Sequence, residues 1–226
     1  AMTQAPANQT ASAIFSPQVF IEAALQNGVL KFGEFTLKSG RVSPYFFNAG
    51  LLATGELLSI LAAGYADTLK QHADTQNLTI FGAAYKGIPL VAATAQTLWQ
   101  AHGINADWGY NRKEAKDHGE GGTLVGADLH GRAVWVLDDV MTAGTAMREV
   151  MALLDNAGAR VAGIIVALDR QEKGQGERSA MQELAEAFGV PVLALVSMTD
   201  IITYVEAHGA PEQLAKMQAY RQQYGV

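Results

Sequence analysis

The sequence contains no cysteine, and only 17% of its 226 residues are charged. Without cysteine the chain forms no disulfide and offers neither a thiolate nucleophile nor a zinc site built on cysteine. The net charge of −6 excludes a broad nucleic-acid-binding surface, because neutralising phosphates requires clustered Lys and Arg. No run approaches the ~20 apolar residues of a membrane span, and the start lacks the basic and apolar regions of a signal peptide. We therefore expect a cytoplasmic protein that binds neither membrane nor nucleic acid.

Hydrophobic residues make up 49% of the chain, which suits one sizeable globular core rather than two full domains. Residues 1–13 have almost nothing to bury, and Ala1 and Met2 resemble the remnant of a cleaved tag ahead of the natural start. A disordered tail over 1–13 and a single folded domain over 14–226 are therefore predicted.

Apolar runs alternate with helical patterns along most of the chain, which predicts a doubly wound α/β core. The runs LTIFGAA, AVWVL, VAGIIVAL and VPVLALV are apolar on both faces, as strands of a covered parallel sheet should be. Helices are predicted over 146–157 and 179–188, each closed by a glycine. The stretch 31–50 reads as short strands and turns, and two helices are expected at the C-terminal end.

The segment AVWVLDDVMTAGTAMREV, residues 133–150, combines a strand, two carboxylates, a loop rich in Thr and Gly, and a helix. Gly144 allows the backbone to approach an anion, Thr142 and Thr145 supply hydroxyls, and the helix start supplies N–H groups, so this loop predicts a phosphate site. Asp138 and Asp139 point to different sides of the strand end, where a sugar diol suits them. Neither a P-loop nor a dinucleotide fingerprint occurs in the chain. The alternative is a solvated strand end followed by an ordinary turn and N-cap.

Two further segments carry positive charge in loops. Lys86 follows the strand LTIFGAA and could meet a second phosphate, although a lone loop lysine is more often a solubilising charge. Residues 111–126, NRKEAKDHGEGGTLVG, predict either a solvated loop or a cationic lid with a glycine hinge that closes over an anionic leaving group. The cationic candidates in this segment are Arg112, Lys113, Lys116 and His118.

Five motifs together, in this order, resemble bacterial orotate phosphoribosyltransferase, a type I phosphoribosyltransferase: LKFGEFTLKSGR with SPYFFNAG, AYKGIP, NRKEAKDHGEGG, DDVMTAGTA and LDRQE. The resemblance implies that fold, with a hood formed by 14–50 and the C-terminal segment and a mobile lid at about 111–123. It implies transfer of the phosphoribosyl group of 5-phosphoribosyl-1-pyrophosphate (PRPP) to orotate in pyrimidine (UMP) biosynthesis. It also implies Mg²⁺ carried mainly by PRPP, no direct protein ligand to the metal, and a homodimer whose lid is shared across the interface.

The resemblance assigns site residues by position. The catalytic residues would be Lys116, Asp138 and Asp139. Orotate would contact Phe46, Phe47, Thr142 and Arg170. PRPP would contact Lys38, Tyr85, Lys86, Arg112, Lys113, Lys116, His118, Asp138, Asp139, Val140, Met141, Thr142, Ala143, Gly144, Thr145 and Ala146.

The chemistry of orotate, a planar ring bearing a carboxylate, agrees with aromatic walls and a guanidinium able to grip a carboxylate at two points. Adjacent aromatics in a strand face opposite sides, so either Phe46 or Phe47 could equally serve ordinary packing. Two other functions remain open: a phosphoribosyltransferase for another nucleobase, and a PRPP-binding regulatory protein. Against the second, the chain has the full lid and lacks a basic DNA-binding helix or an added domain.

Overall fold

The computed structural model describes residues 14–114, 122–141 and 143–226. The helices are α1 (Pro17–Gln26), α2 (Gly55–His72), α3 (Gly87–His102), α4 (Thr145–Asn156), α5 (Ala180–Phe188), α6 (Met198–His208) and α7 (Pro211–Tyr224). The strands are β1 (Leu30–Thr36), β2 (Val42–Phe47), β3 (Thr79–Gly82), β4 (Asp107–Asn111), β5 (Leu124–Gly126), β6 (Ala133–Val140), β7 (Arg160–Asp169) and β8 (Val192–Ser197).

Six of the strands form one sheet in the order β5-β4-β3-β6-β7-β8. All neighbours pair in parallel except β5, which runs antiparallel to β4 at the edge. This confirms the predicted mainly parallel α/β fold. Strand order reverses between β3 and β6, and in such sheets a crevice opens where the carboxyl ends of the two strands diverge. The end of β6 therefore lies where a ligand is expected.

Both faces of the sheet are covered, which is why its central strands read as continuous apolar runs. Along β6, Trp135 and Leu137 join one hydrophobic cluster while Val134 and Val136 join the other. The first cluster includes residues of α1, α2, α3, α6 and α7, and the second includes residues of α4 and α5. Because successive side chains of a strand point to opposite faces of the sheet, one apolar run contributes to both hydrophobic clusters.

The remaining strands, β1 and β2, form a separate antiparallel hairpin in the predicted stretch of short strands and turns. Helix α7 packs on β2, and α6 packs on both α7 and α1. The C-terminal helices and the N-terminal segment therefore meet on one side of the sheet.

Strands β4 and β5 were not predicted from the sequence. The five residues of β4 contain only one that is buried, Gly109, so no apolar run marks the strand. Strand β5 is three residues long and pairs on one side only. Within the described ranges, no helix is both long and apolar enough to cross a membrane.

Candidate functional site

The two predicted carboxylates lie among the last three residues of β6. Asp139 is only 8% exposed and Asp138 is half-buried. The Asp139 amide donates a 2.9 Å hydrogen bond to Oδ1 of Asp138, which orients that carboxyl group. From α2, the buried Tyr65 hydroxyl donates a 2.6 Å hydrogen bond to the main-chain oxygen of Asp138. Hydrogen bonds from the main chain of Asp139 and from a buried residue of α2 therefore hold Asp138 in position.

Burial, and after it the negative charge of Asp139, raise the pKa of the Asp138 carboxyl from 3.8 to about 7. Lys86 acts in the opposite direction, since its positive charge lowers the pKa of Asp138. The Lys86 ammonium lies 3.6 Å from Oδ2 of Asp139. This site can therefore gain or lose a proton near neutral pH, as groups that act on substrates often do.

The turn between β3 and α3 reaches the acidic pair because two glycines let it approach the backbone of β6. A Cβ added to Gly82 would lie 2.3 Å from the main-chain oxygen of Gly87, and one added to Gly87 would lie 2.8 Å from that of Leu137. The Ala84 amide donates a 2.8 Å hydrogen bond to Oδ1 of Asn111, which ties the turn to the end of β4. Tyr85 and Lys86 are consequently presented to solvent beside the carboxylates.

The predicted phosphate loop connects β6 to α4. Val140 ends the strand, Gly144 adopts φ +78° at the helix N-cap, and α4 begins at Thr145. A positive φ is readily adopted only by glycine. Among the described residues no side chain caps this helix, so its first N–H groups point toward the loop. Together with Met141, Ala143 and Ala146, these residues form a backbone cradle suited to an anion.

Two of the predicted lid cations lie next to the β3–α3 turn. Arg112 directly follows β4, and its amide donates a 2.6 Å hydrogen bond to the main-chain oxygen of Thr123. The Lys113 ammonium lies 5.3 Å from the centre of the Tyr85 ring, within cation–π range. Lys116, His118 and Thr142, which were also assigned to the site, lie outside the described residues.

Phe46 and Phe47 face opposite sides of β2, as expected for neighbours in a strand. Phe46 is 38% exposed and its ring centre lies 5.5 Å from that of Phe35. Phe47 is half-buried and lies 6.2 Å from Phe20 of α1. Lys38 is exposed in the turn that joins β1 to β2. Of the two aromatics, Phe46 is therefore the more available to a ligand.

Arg170 directly follows β7, and its guanidinium lies 4.0 Å above the Tyr45 ring. Its Nε donates a 2.8 Å hydrogen bond to Oε1 of Glu172, and its Nη2 forms a 2.7 Å salt bridge with the same oxygen. Nη2 also donates to Oγ of Ser43 at 2.9 Å. The structure thus joins the predicted Arg170 to β2, the strand that carries the predicted aromatics. Sequence reasoning gave no role to Tyr65, Ser43, Tyr45 or Glu172. Only Glu172 had a local signal, its place two residues after Arg170.

A cavity of about 580 Å³ lies at the opposite edge of the sheet, where β6 and β7 begin. Its lining includes His72, Trp135 and Arg160 and none of the predicted site residues. The acidic pair, the phosphate loop and the cationic turn all lie instead at the carboxyl ends of the strands, where the chemistry of an open α/β sheet is expected.

Comparison with protein families matches residues 51–191 to the phosphoribosyl transferase domain. An orotate phosphoribosyltransferase of Acinetobacter baumannii is 64% identical over 212 residues, covering 94% of this chain and 97% of the relative. One of Pseudomonas aeruginosa is 53% identical over 208 residues, covering 92% and 97%.

Among solved structures, the orotate phosphoribosyltransferase of Francisella tularensis superposes with a TM-score of 0.83 at 45% identity. The superposition covers 92% of this chain and 100% of the Francisella chain. A Leishmania donovani UMP synthase superposes with a TM-score of 0.71 at 26% identity, covering 92% of this chain and 42% of that one.

Proposed function

Since the chain belongs to the orotate phosphoribosyltransferase family, we propose that it transfers the 5-phosphoribosyl group of PRPP to orotate, giving orotidine 5′-monophosphate and pyrophosphate. The enzyme is thus a pentosyltransferase of pyrimidine biosynthesis. The observation that carries this proposal is 64% identity over 212 residues, which cover 94% of the chain. The acidic pair at the end of β6, beside an anion-binding loop, supports it independently.

Displacement of pyrophosphate by a ring nitrogen builds positive charge on the ribose and negative charge on the leaving group. Asp138 and Asp139 lie where carboxylates would hold the ribose hydroxyls and stabilise the electron-poor sugar. Lys86 and the lid cations, among them Lys116, would neutralise the departing pyrophosphate. The 3.6 Å contact between Lys86 and Asp139 is then a resting ion pair, from which Lys86 turns to the pyrophosphate when PRPP binds.

The predicted phosphate loop before α4 would bind the 5-phosphate, because a helix N-terminus and a glycine loop favour an anion. Magnesium bound to PRPP would supply further positive charge at the pyrophosphate. The donor set suits a metal carried by the substrate: the part of the chain that the structure describes contains no cluster of three or more metal-ligating side chains, and Mg²⁺ often binds through one or two carboxylates plus phosphates. Chelation of Mg²⁺ should therefore abolish turnover, and added Mg²⁺ should restore it.

Orotate would bind between the hairpin and the end of β7, with Phe46 against the ring and Arg170 near the carboxylate. The family's motifs also assign Phe47 and Thr142 to orotate, and they assign Lys38, in the turn of the hairpin, to PRPP. A buried cationic partner for the carboxylate makes orotate the preferred base, since removing a polar group that a site is built to bind costs several orders of magnitude in selectivity.

The test is a base-selectivity assay. The protein is incubated with PRPP and Mg²⁺ and with orotate, uracil, adenine or hypoxanthine, and nucleotide products are separated by chromatography. Orotate should be used at least ~100-fold better than uracil, which lacks only the carboxylate. Equal use of uracil, or a preference for a purine, would support a phosphoribosyltransferase for another base, and PRPP binding without any turnover would support a regulatory protein.

A homodimer in which the lid of one subunit serves the site of the other is also proposed, because a charged lid gains a defined closed position against a neighbouring wall. Lys116→Ala in the lid and Lys86→Ala in the core should each be nearly inactive. After subunit exchange, mixed dimers with crossed lids carry both lesions in one site and none in the other, so activity should recover to about a quarter of the wild-type value. Proven exchange without recovery would contradict the shared lid.

The cytoplasm is the proposed location, in keeping with the absence of cysteine.

A further inference from the structure

The guanidinium of Arg170 is engaged on one side by protein. Arginine carries five N–H donors, one on Nε and two on each Nη. The Nε donor binds Oε1 of Glu172, Nη2 forms a salt bridge with the same oxygen, and Nη2 donates a hydrogen bond to Oγ of Ser43. Both edges through which a guanidinium grips a carboxylate at two points include Nη2. Within the described ranges, Nη1 makes no hydrogen bond to protein, so its two donors are the ones left for a ligand.

Glu172 is itself held in place from several directions. Its Oε2 lies 3.7 Å from Nη1 of Arg41, a residue at the start of β2. Arg41 also donates to the main-chain oxygens of Lys173 and Gly174, at 2.8 and 3.2 Å. On the other side, Glu172 forms an antiparallel bridge with Gly225 after α7. The Glu172 side chain is only 11% exposed, so its position is set by the hairpin, the loop after β7 and the C-terminal helix together.

Tyr220 of α7 completes the surroundings of this pair. Its buried hydroxyl makes no hydrogen bond of ordinary geometry to the described residues. Burial, and after it the negative charge of Glu172, raise the pKa of Tyr220, whereas the positive charge of Arg170 lowers it. Arg170 is 18% exposed, enough for one end of the guanidinium to reach a ligand while the other end is fixed.

We propose that Glu172 is a positioning residue for orotate: by occupying the Nε and Nη2 side of Arg170, it presents Nη1 alone to the substrate. This rests on the proposed function. Orotate is then held by a single guanidinium nitrogen in a fixed orientation, rather than by the two-point grip that the sequence suggested. A side chain locked by a partner in this way loses no freedom when the substrate binds, which is how positioning residues contribute to affinity.

The test compares Glu172→Ala and Glu172→Gln, with Glu177→Ala as a matched control. Glu177 lies in the same loop, but its side chain is 90% exposed, and it forms an ion pair with Lys173. Glu172→Ala should raise the KM for orotate roughly 10-fold or more, because Arg170 is free to turn, while the KM for PRPP changes less than about twofold. Glu172→Gln keeps an acceptor oxygen for Nε and should stay within about threefold of wild type. The control should match wild type in both constants.

Several outcomes separate this inference from the proposed function. If the wild-type protein converts no orotate, the proposed function fails. If it converts orotate but Glu172→Ala keeps the wild-type KM for orotate, or raises both KM values equally, only the positioning role fails.

Should Glu172→Ala not fold, as judged by circular dichroism, Ser43→Ala decides, because it removes the other acceptor of Nη2. This variant should raise the KM for orotate selectively, and combining it with Glu172→Gln should raise that KM further. Unchanged orotate KM in the double variant would overturn the proposal.

Discussion

Asp138→Asn should make the protein more stable at neutral and alkaline pH while it lowers activity. The carboxyl of Asp138 is half-buried beside a second carboxylate, and its pKa is raised from 3.8 to about 7. The folded chain therefore keeps a proton between pH 4 and pH 7 that the unfolded chain has released. Ionising this group in the folded state opposes folding, and an uncharged Asn avoids that cost. Asn also retains an Oδ1 that can accept the Asp139 amide.

The size of the effect follows from the width of this pH window. Each pH unit in which the folded chain holds one more proton than the unfolded chain lowers the free energy of unfolding by about 1.4 kcal/mol as the pH rises. Between pH 5 and pH 8 the folded wild-type protein holds the extra proton over about two pH units, from pH 5 to the folded pKa of about 7. Above that pH the free energy of unfolding stops falling. Relative to Asp138→Asn it should lose about 2 to 3 kcal/mol, or roughly 5 to 10 °C in Tm for a chain of this length.

The measurement is urea unfolding of both proteins at pH 5 and pH 8, at one protein concentration and ionic strength. The difference between the two proteins cancels the titrating groups that do not interact with Asp138. Asp155→Asn, at an exposed position of α4, is the matched control and should follow wild type at both pH values. Turnover of Asp138→Asn should fall roughly 10-fold or more. An identical pH dependence in wild type and Asp138→Asn would refute the argument that burial and Asp139 raise this pKa.

Three further changes test the support of the site. Tyr65→Phe removes the hydroxyl that donates to the main chain of Asp138 and should cost about 1 to 2 kcal/mol in unfolding by urea, with a severalfold loss of kcat. Gly87→Ala puts a Cβ 2.8 Å from a main-chain oxygen of β6 and should lower the free energy of unfolding by more than about 2 kcal/mol in the same assay. The control is Gly55→Ala, whose Cβ meets nothing within 4 Å and which should change stability by less than about 0.5 kcal/mol. Lys86→Met should lose nearly all turnover, as Lys86→Ala should. In the residual activity the KM for PRPP should rise about 10-fold and the KM for orotate much less, and equal changes in both would argue against its place on the pyrophosphate side.

Much of the fold could be predicted because the burial of a strand or helix produces a characteristic spacing of apolar residues in the sequence. The runs that became β3, β6, β7 and β8 are apolar on both faces, with the buried Thr79 of β3 as an exception, since helices cover both faces of the sheet. Strand β4 was not predicted because it lies next to the short edge strand and Gly109 is the only one of its five residues that is buried, so it has no apolar run. The acidic pair and its loop were recognisable for a different reason, because their residues are consecutive and a phosphate site needs that order of groups.

The sequence by itself determined most of the strands and helices, with β4 and β5 as exceptions. It also determined where the carboxylates, glycines and lid cations stand along the chain, and which family it resembles. Only the tertiary structure decided that Tyr65, on the buried face of a helix, supports Asp138 from 73 residues away, and that Ser43 meets Arg170 across 127 residues. The same holds for the raised pKa of Asp138, which depends on how much water the fold removes around it. Contacts of this kind depend on the order of strands in the sheet and the packing of helices on it, and neither leaves a local pattern in the chain.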